Sequence, residues 1–317
     1  MIIKVSYKKI KGLKIKKILP IRIGCLLVLV LSVLNLKGQD YVKFSQIETS
    51  LAFINPACNG LEEGLSGSIL YRTTWESFAG APKVGAFNAS IPIPKKQLGI
   101  GISLVNSNLG PYSQVEAFWA TTYKVLIDSE SQISFGLQFG VVSLQDDPLK
   151  RVLGNPNDPV YLGETSYVLP NFGFGLHFYS SKHYIGFSIP KLIYNNVSRA
   201  IKSSKFDLNH LRCYLYGGVN FNANEDIEVK PSFSLLYPSD SRTQFEFLVM
   251  GVYKDVFGIG FAWRTKESLV FLTQIKISEN LKLTFSYEST VSTSRPTVFN
   301  KTNEFGLVFN LPQILRK

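Results

Sequence analysis

Three histidines, three cysteines and a set of Gly-x-Gly elements are the residues of this 317-residue chain that could carry chemistry. His177, His183 and His210 are not spaced as metal ligands, which need neighbours on one helix face or in a tight cluster. There is no Gly-x-Ser-x-Gly nucleophile element. Asp146–Asp147 lie in a proline-containing stretch and have the character of solvated turn residues. The pairs Gly99/Gly101, Gly173/Gly175 and Gly258/Gly260 lack the strand, glycine-rich turn and helix of a dinucleotide site. They fall inside alternating segments, where glycine relieves crowding or permits curvature. One catalytic arrangement stays open: His177, on the polar face of its segment, beside a Ser or Asp. Turnover of ester substrates by the purified protein is its test. The expectation is a protein that is not an enzyme, with no cofactor and no bound metal.

The elements that must position these residues are strands. Residues 281–288, LKLTFSYE, place Leu281, Leu283, Phe285 and Tyr287 on one face and Lys282, Thr284, Ser286 and Glu288 on the other. Residues 133–141, ISFGLQFGV, alternate in the same way. Side chains of a strand point to opposite faces in turn, so such a segment is apolar on one side and polar on the other. The pattern predicts strands at 66–75, 84–92, 98–106, 114–126, 131–144, 170–179, 183–190, 210–221, 226–237, 243–253, 256–264, 268–278, 281–289 and 303–311. Runs of this length at a tilt near 45° cross the ~25 Å apolar band of an outer membrane. The fold class that follows is all-β, a transmembrane antiparallel β-barrel of about 14 strands of the outer-membrane type.

Loop lengths sort by parity. One alternate set is short (PIPKKQ, DSES, SSK, NANE, KD, SEN), and the other holds the long connections 76–83, 107–113, 145–169, 191–209 and 290–302. Outer-membrane barrels have tight periplasmic turns and longer external loops. The proposed outward faces avoid Lys and Arg, each of which costs about 2–4 kcal/mol at the bilayer midplane. FLVMGVY (247–253) and LVFL (269–272) are apolar on both faces, so a lumenal element is expected to pack against them. Inward positions hold Glu228, Lys230, Arg264, Lys282, Glu288 and Glu304. They either pair as a structural network or line a solute path.

The first 38 residues are set apart. Eight basic residues from Lys4 to Arg22 precede an apolar run from Ile23 to Leu34, and Gly38 offers a cleavage point. This is the layout of a secretory signal peptide. The apolar run falls short of the ~20 residues of a membrane span. The expected organisation is 1–38 signal peptide, 39–65 periplasmic N-terminal segment and 66–317 outer-membrane barrel. Residues 1–38 carry nine basic and no acidic residues, so the whole-chain balance of 34 Lys+Arg and 23 Asp+Glu becomes 25 against 23 after cleavage. The pI of about 9.4 therefore belongs to the targeting segment and gives no support for a nucleic-acid partner. Cys58 and Cys213 remain, too few for a disulfide framework.

Residues 44–60 read FSQIETSLAFINPACNG, followed by YRTTWESFAGAPK at 71–83. This order of FSQ, INPA-x-x-G, YR-x-x-W and F-x-G-A-P resembles the opening of the PorP/SprF family of type IX secretion system membrane proteins. Segments 98–111, 134–141, 170–179 and 184–192 fit as well. Two departures are Cys58, where an aromatic is common, and the C-terminal PQILRK in place of a terminal aromatic. The resemblance implies an outer-membrane barrel serving type IX secretion and gliding motility. It would act as a component or as the accessory of one secreted surface protein or adhesin. Its expected partners are that protein, periplasmic or outer-membrane secretion components, and outer-membrane lipid. The motif residues Asn55, Pro56, Gly60, Arg72, Trp75, Gly80 and Pro82 are the interaction candidates it implies. The 41–63 segment would cap the periplasmic mouth or bind a periplasmic subunit, with Asn55 and Pro56 favouring a turn. Loops 145–169 and 191–209 would either dock a partner or close the mouth. The competing readings are a diffusion channel or fatty-acid transporter, and a soluble periplasmic β-sandwich.

Overall fold

The computed structural model describes residues 44–76, 80–147, 165–198, 201–206, 211–238, 243–265, 268–290 and 301–312. The expected signal peptide and most of the 145–169 loop lie outside these residues.

One short helix, α1 (Ile47–Ile54), and a 3-10 turn (Pro56–Cys58) precede the sheet. The strands are β1 (Leu65–Thr74), β2 (Lys83–Ile93), β3 (Leu98–Leu109), β4 (Tyr112–Leu126), β5 (Ser131–Asp146), β6 (Thr165–Ser180) and β7 (His183–Ile189). A hairpin of β8 (Ile193–Ser198) and β9 (Ile201–Phe206) forms its own two-stranded sheet. Then come β10 (Arg212–Val219), β11 (Phe221–Asn222), β12 (Ile227–Pro238), β13 (Gln244–Tyr253), β14 (Phe257–Arg264), β15 (Ser268–Ser278), β16 (Leu281–Thr290) and β17 (Lys301–Leu311). β11 continues β10 along β12. Along the wall β1 to β7 and β12 to β17 pair antiparallel in sequence order, β7 meets β10, β10 meets β12, and β1 meets β17 from Leu65↔Leu311 to Thr74↔Thr302. The result is a closed 14-strand antiparallel barrel, with no sheet edge along the closed circuit to leave backbone groups unpaired in lipid.

Alternation decides which face meets lipid. Along β14 the exposed residues Phe257, Ile259, Phe261 and Trp263 interleave with buried Gly258, Gly260, Ala262 and Arg264. The short turns carry their own chemistry. Asp128 Oδ1 accepts from the N–H groups of Glu130 and Ser131, and Asn224 Oδ1 from those of Asp226 and Ile227. Lys254 and Asp255 both adopt positive φ, as a two-residue hairpin turn requires.

Three expectations change. The 107–113 connection is a tight turn at Gly110–Pro111, because β3 and β4 continue through it. β6 begins at Thr165 rather than 170, and 191–209 contains the β8–β9 hairpin. Beyond the bilayer both faces of a strand meet water, so hydropathy no longer marks where it ends. The third change concerns the segment placed at the periplasmic mouth. Its residues Phe44 to Gly60 lie inside the barrel and touch inward side chains around its wall, while Glu62 and Glu63 are exposed.

Candidate functional site

The lumen is filled by the N-terminal segment, held in three ways. The first is apolar. Ile47, Leu51 and Ile54 form a stripe at helical spacing on α1. They pack on buried Tyr214, Tyr216 and Leu236 of β10 and β12. Ile47 also covers Leu248, Met250, Val252, Ala262, Val270 and Leu272. These are inward residues of the strands whose two faces are both apolar, so α1 supplies the expected lumenal element.

The second hold is a set of wall donors aimed at plug carbonyls. Ser68 Oγ donates to Thr49 O (3.2 Å), Ser188 Oγ to Ile54 O (2.6 Å), Thr122 Oγ1 to Pro56 O (2.8 Å) and Ser134 Oγ to Ala57 O (2.9 Å). Lys124 Nζ donates to Gly60 O at 3.0 Å. Asn55 satisfies its whole amide. Its Oδ1 accepts from Ala57 N, and its Nδ2 donates to Leu176 O (3.0 Å) and Tyr216 Oη (2.8 Å). Asn59 accepts from Asn88 Nδ2 at 3.0 Å. The glycines form the matching socket. A Cβ on Gly136 would lie 2.1 Å from Ala57 N, one on Gly175 1.9 Å from Asn55 Oδ1, and one on Gly101 2.1 Å from Asn59 Oδ1. Gly60, at φ +68°, crosses so close to Gly99 that a Cβ would meet its Cα at 2.6 Å. Gly136 of β5 and Gly175 of β6 thus give room to the Asn-Pro-Ala turn, and Gly99 and Gly101 of β3 to Asn59 and Gly60.

The third hold is ionic. Arg72 of β1 donates to Glu288 (2.9 Å), Glu304 (3.2 Å) and Ser45 Oγ. Arg264 donates to Glu288 (3.0 Å) and Glu246. Ser268 and Ser45 hydroxyls also reach Glu288. The fully buried Glu304 carboxylate accepts the backbone N–H groups of Ser45 (2.9 Å) and Gln46 (3.1 Å), just ahead of α1. An anion at a helix N-terminus is favoured by the unpaired N–H groups and the dipole there. Buried charges stay only where they are paired and hydrogen-bonded. Among the inward charges, Arg264, Glu288 and Glu304 enter this network, while Glu228 and Lys230 pair with each other at 3.0 Å.

The candidate residues divide into two groups. Asn55, Pro56 and Gly60 are in the plug, and Arg72 ties it to the wall. Trp75, Gly80 and Pro82 are at the loop-side rim. There Trp75 N donates to Lys301 O (2.7 Å), Thr74 N to Pro82 O (2.9 Å) and Gly110 N to Gly80 O (2.9 Å). Sequence reasoning missed Glu246, Tyr216 and the socket role of Gly136 and Gly175. A signal was present in the run of Ser, Thr and Gly on inward positions. His177 Nδ1 lies 3.1 Å from Tyr216 Oη, and its ring stacks on Tyr179. Cys58 Sγ is 3.1 Å from the same Tyr216 hydroxyl, and burial pushes its thiol up to about 12. The thiolate is then much scarcer at pH 8 than that of an ordinary cysteine. With Cys25 and Cys213 replaced by alanine, maleimide labelling should be slow in the folded barrel and fast in denaturant; equal rates would show that the plug does not occupy the lumen.

Fold and lumen together define a plugged outer-membrane β-barrel. Among solved structures, the chain is similar to the CymD monoaromatic hydrocarbon channel (TM-score 0.51, 11% identity, covering 84% of this chain and 93% of that one). Weaker likeness links it to Omp33 of Acinetobacter baumannii (0.47, 6%, 80% and 100%) and the toluene transporter TbuX of Ralstonia pickettii (0.44, 11%, 82% and 92%). No curated protein matches. Residues 36–309 match the family described as type IX secretion system membrane protein PorP/SprF, and the chain belongs to that family. It is an outer-membrane protein of type IX secretion.

Proposed function

We propose that this barrel is a non-enzymatic scaffold that holds an exported surface protein of the adhesin class at its loop-side rim while secretion components meet its short-turn face. The observation that carries the reading is the filled lumen. The plug is bonded to strands on every side of the wall, which favours a rigid mount over an open diffusion path. The rim residues Trp75, Gly80 and Pro82 would brace the external surface, and a role in gliding motility would follow from the protein displayed.

Deleting the gene should abolish surface display of one large secreted protein, and the wild-type barrel should restore it. Unchanged display would overturn the scaffold reading. Removing residues 150–165, of which all but Thr165 lie outside the described residues, should abolish display while the barrel still shows heat-modifiable gel mobility. In liposomes the intact protein should pass little steady current. A large constant conductance would favour the channel reading.

A further inference from the structure

The wall has a seam on its loop side. β6 pairs with β5 along its whole length, up to Asp146↔Thr165. It pairs with β7 only from Phe174↔Ile189 to Tyr179↔Tyr184. From Thr165 to Gly173, β6 has no strand paired in register on its second side among the described residues. The cause is a departure of the chain from the wall at Pro190. Gln138 Nε2 donates to Pro190 O at 2.7 Å, Lys191 is paired with Glu116 at 2.6 Å, and the N–H groups of Leu192 and Ile193 go to Asn171 Oδ1. The β8–β9 hairpin that follows is a separate sheet, and β10 starts only at Arg212.

The register identifies the open groups. Asp147 N donates to Pro111 O, so odd-numbered residues of β5 turn their main chain toward β4 and even-numbered ones toward β6. Even residues of β5 face odd residues of β6, so the even residues of β6 present their N–H and C=O to the seam. At its lower end these groups are satisfied: Leu192 N donates to Phe172 O, and Phe172 N to Asn171 Oδ1. Above it, with no partner on this side among the described residues, Ser166 and Val168 offer a donor and an acceptor each, and Pro170 an acceptor. The Val168 side chain is 65% exposed. β6 has 16 residues, and a tilted strand of that length rises about 37 Å against an apolar band of ~25 Å. Ser166 and Val168 therefore lie at the loop-side end of the strand, the side reached from outside.

We infer that the loop-side edge of β6, at Ser166–Pro170, is a strand-addition site for an extended segment of the exported protein; the inference rests on the scaffold reading above. Backbone groups in ladder spacing are matched by another strand, the mode in which main-chain bonds give affinity. Lipid tails cannot supply those bonds. A second copy cannot either. Antiparallel pairing of two β6 edges would turn one barrel upside down in the membrane. Copies related by an axis along the membrane normal would have strands tilted in opposite senses that cross instead of pairing. A free segment can choose its direction.

The probe is the secreted protein that co-purifies with the wild-type barrel from its own outer membranes, identified and then purified. Ser166→Pro/Val168→Pro removes both edge donors and leaves the β5 ladder untouched; Pro170 already occupies an equivalent edge position. The double variant should keep its heat-modifiable mobility and bind the probe at least roughly tenfold more weakly, about 1.4 kcal/mol. Unaltered affinity would overturn strand addition while leaving the scaffold reading intact. Hydrogen exchange gives a second readout. The Ser166 and Val168 amides should exchange fast in the isolated barrel and slowly with the probe bound, whereas slow exchange without the probe would mean that the edge is already covered. If no secreted protein co-purifies with the wild type, the scaffold reading fails, and this inference with it.

Discussion

Valine at both Gly136 and Gly175 should turn a silent barrel into a conducting one. Each added Cβ would stand within about 2 Å of plug atoms, Ala57 N and Asn55 Oδ1 respectively. The first is backbone in a tight turn. The second is an amide oxygen fixed by Ala57 N, on a side chain whose Nδ2 is bonded to Leu176 O and Tyr216 Oη. Neither can yield by rotating a flexible end. The wall does not depend on the plug for its ladder bonds, so the strain is relieved by expelling the turn. Single-channel recording in planar bilayers should show steady current for the double variant and almost none for the wild type. Cys58 should become reactive to maleimide at the same time. A variant that folds, stays silent and protects Cys58 would show that the socket does not hold the plug.

Arg72→Met should be the most damaging single substitution in the lumen. The guanidinium stands between Glu288 and Glu304, and its loss leaves two buried carboxylates short of a counter-charge. Removing one partner of a buried pair costs about 3–5 kcal/mol, because the remaining charge stays desolvated. Arg264 still serves Glu288 and Glu246, so the deficit falls on Glu304, whose carboxylate keeps the N–H groups of Ser45 and Gln46 as its donors among the described residues. The start of α1 should therefore loosen first. Hydrogen exchange should rise at Ser45–Ser50 before the wall strands open, and the temperature of the heat-modifiable gel shift should fall. Adding Glu304→Gln should recover part of the loss by deleting the unpaired charge. If the double variant is no better than Arg72→Met alone, the network is not what anchors the plug.

Much of the architecture was legible because a barrel wall obeys a local rule. A strand between lipid and a polar interior must alternate, and β14 or β16 shows this in eight to ten residues. The doubly apolar β13 and β15 broke the rule, and their inward face is where Ile47 packs. Where the local rule lapses, the reading lapsed. The extension of β6 to Thr165 and the hairpin at Ile193–Phe206 lie where hydropathy carries no contrast between faces.

The candidate residues were legible only as types. Asn55, Pro56 and Gly60 announce a turn, and Arg72 an inward charge on β1. That the turn fits glycines of β5 and β6, and that Arg72 meets carboxylates more than two hundred residues away, depends on closing β1 against β17 and on the stagger of every strand between them. Sequence alone determined the strand count, the lipid-facing side and the polarity of the interior, since each follows from neighbours one or two residues apart. Tertiary structure alone decided that the interior is occupied, by which segment, and where the wall parts beside β6. Those outcomes are contacts across the barrel, and no short stretch of chain encodes a distance of that kind.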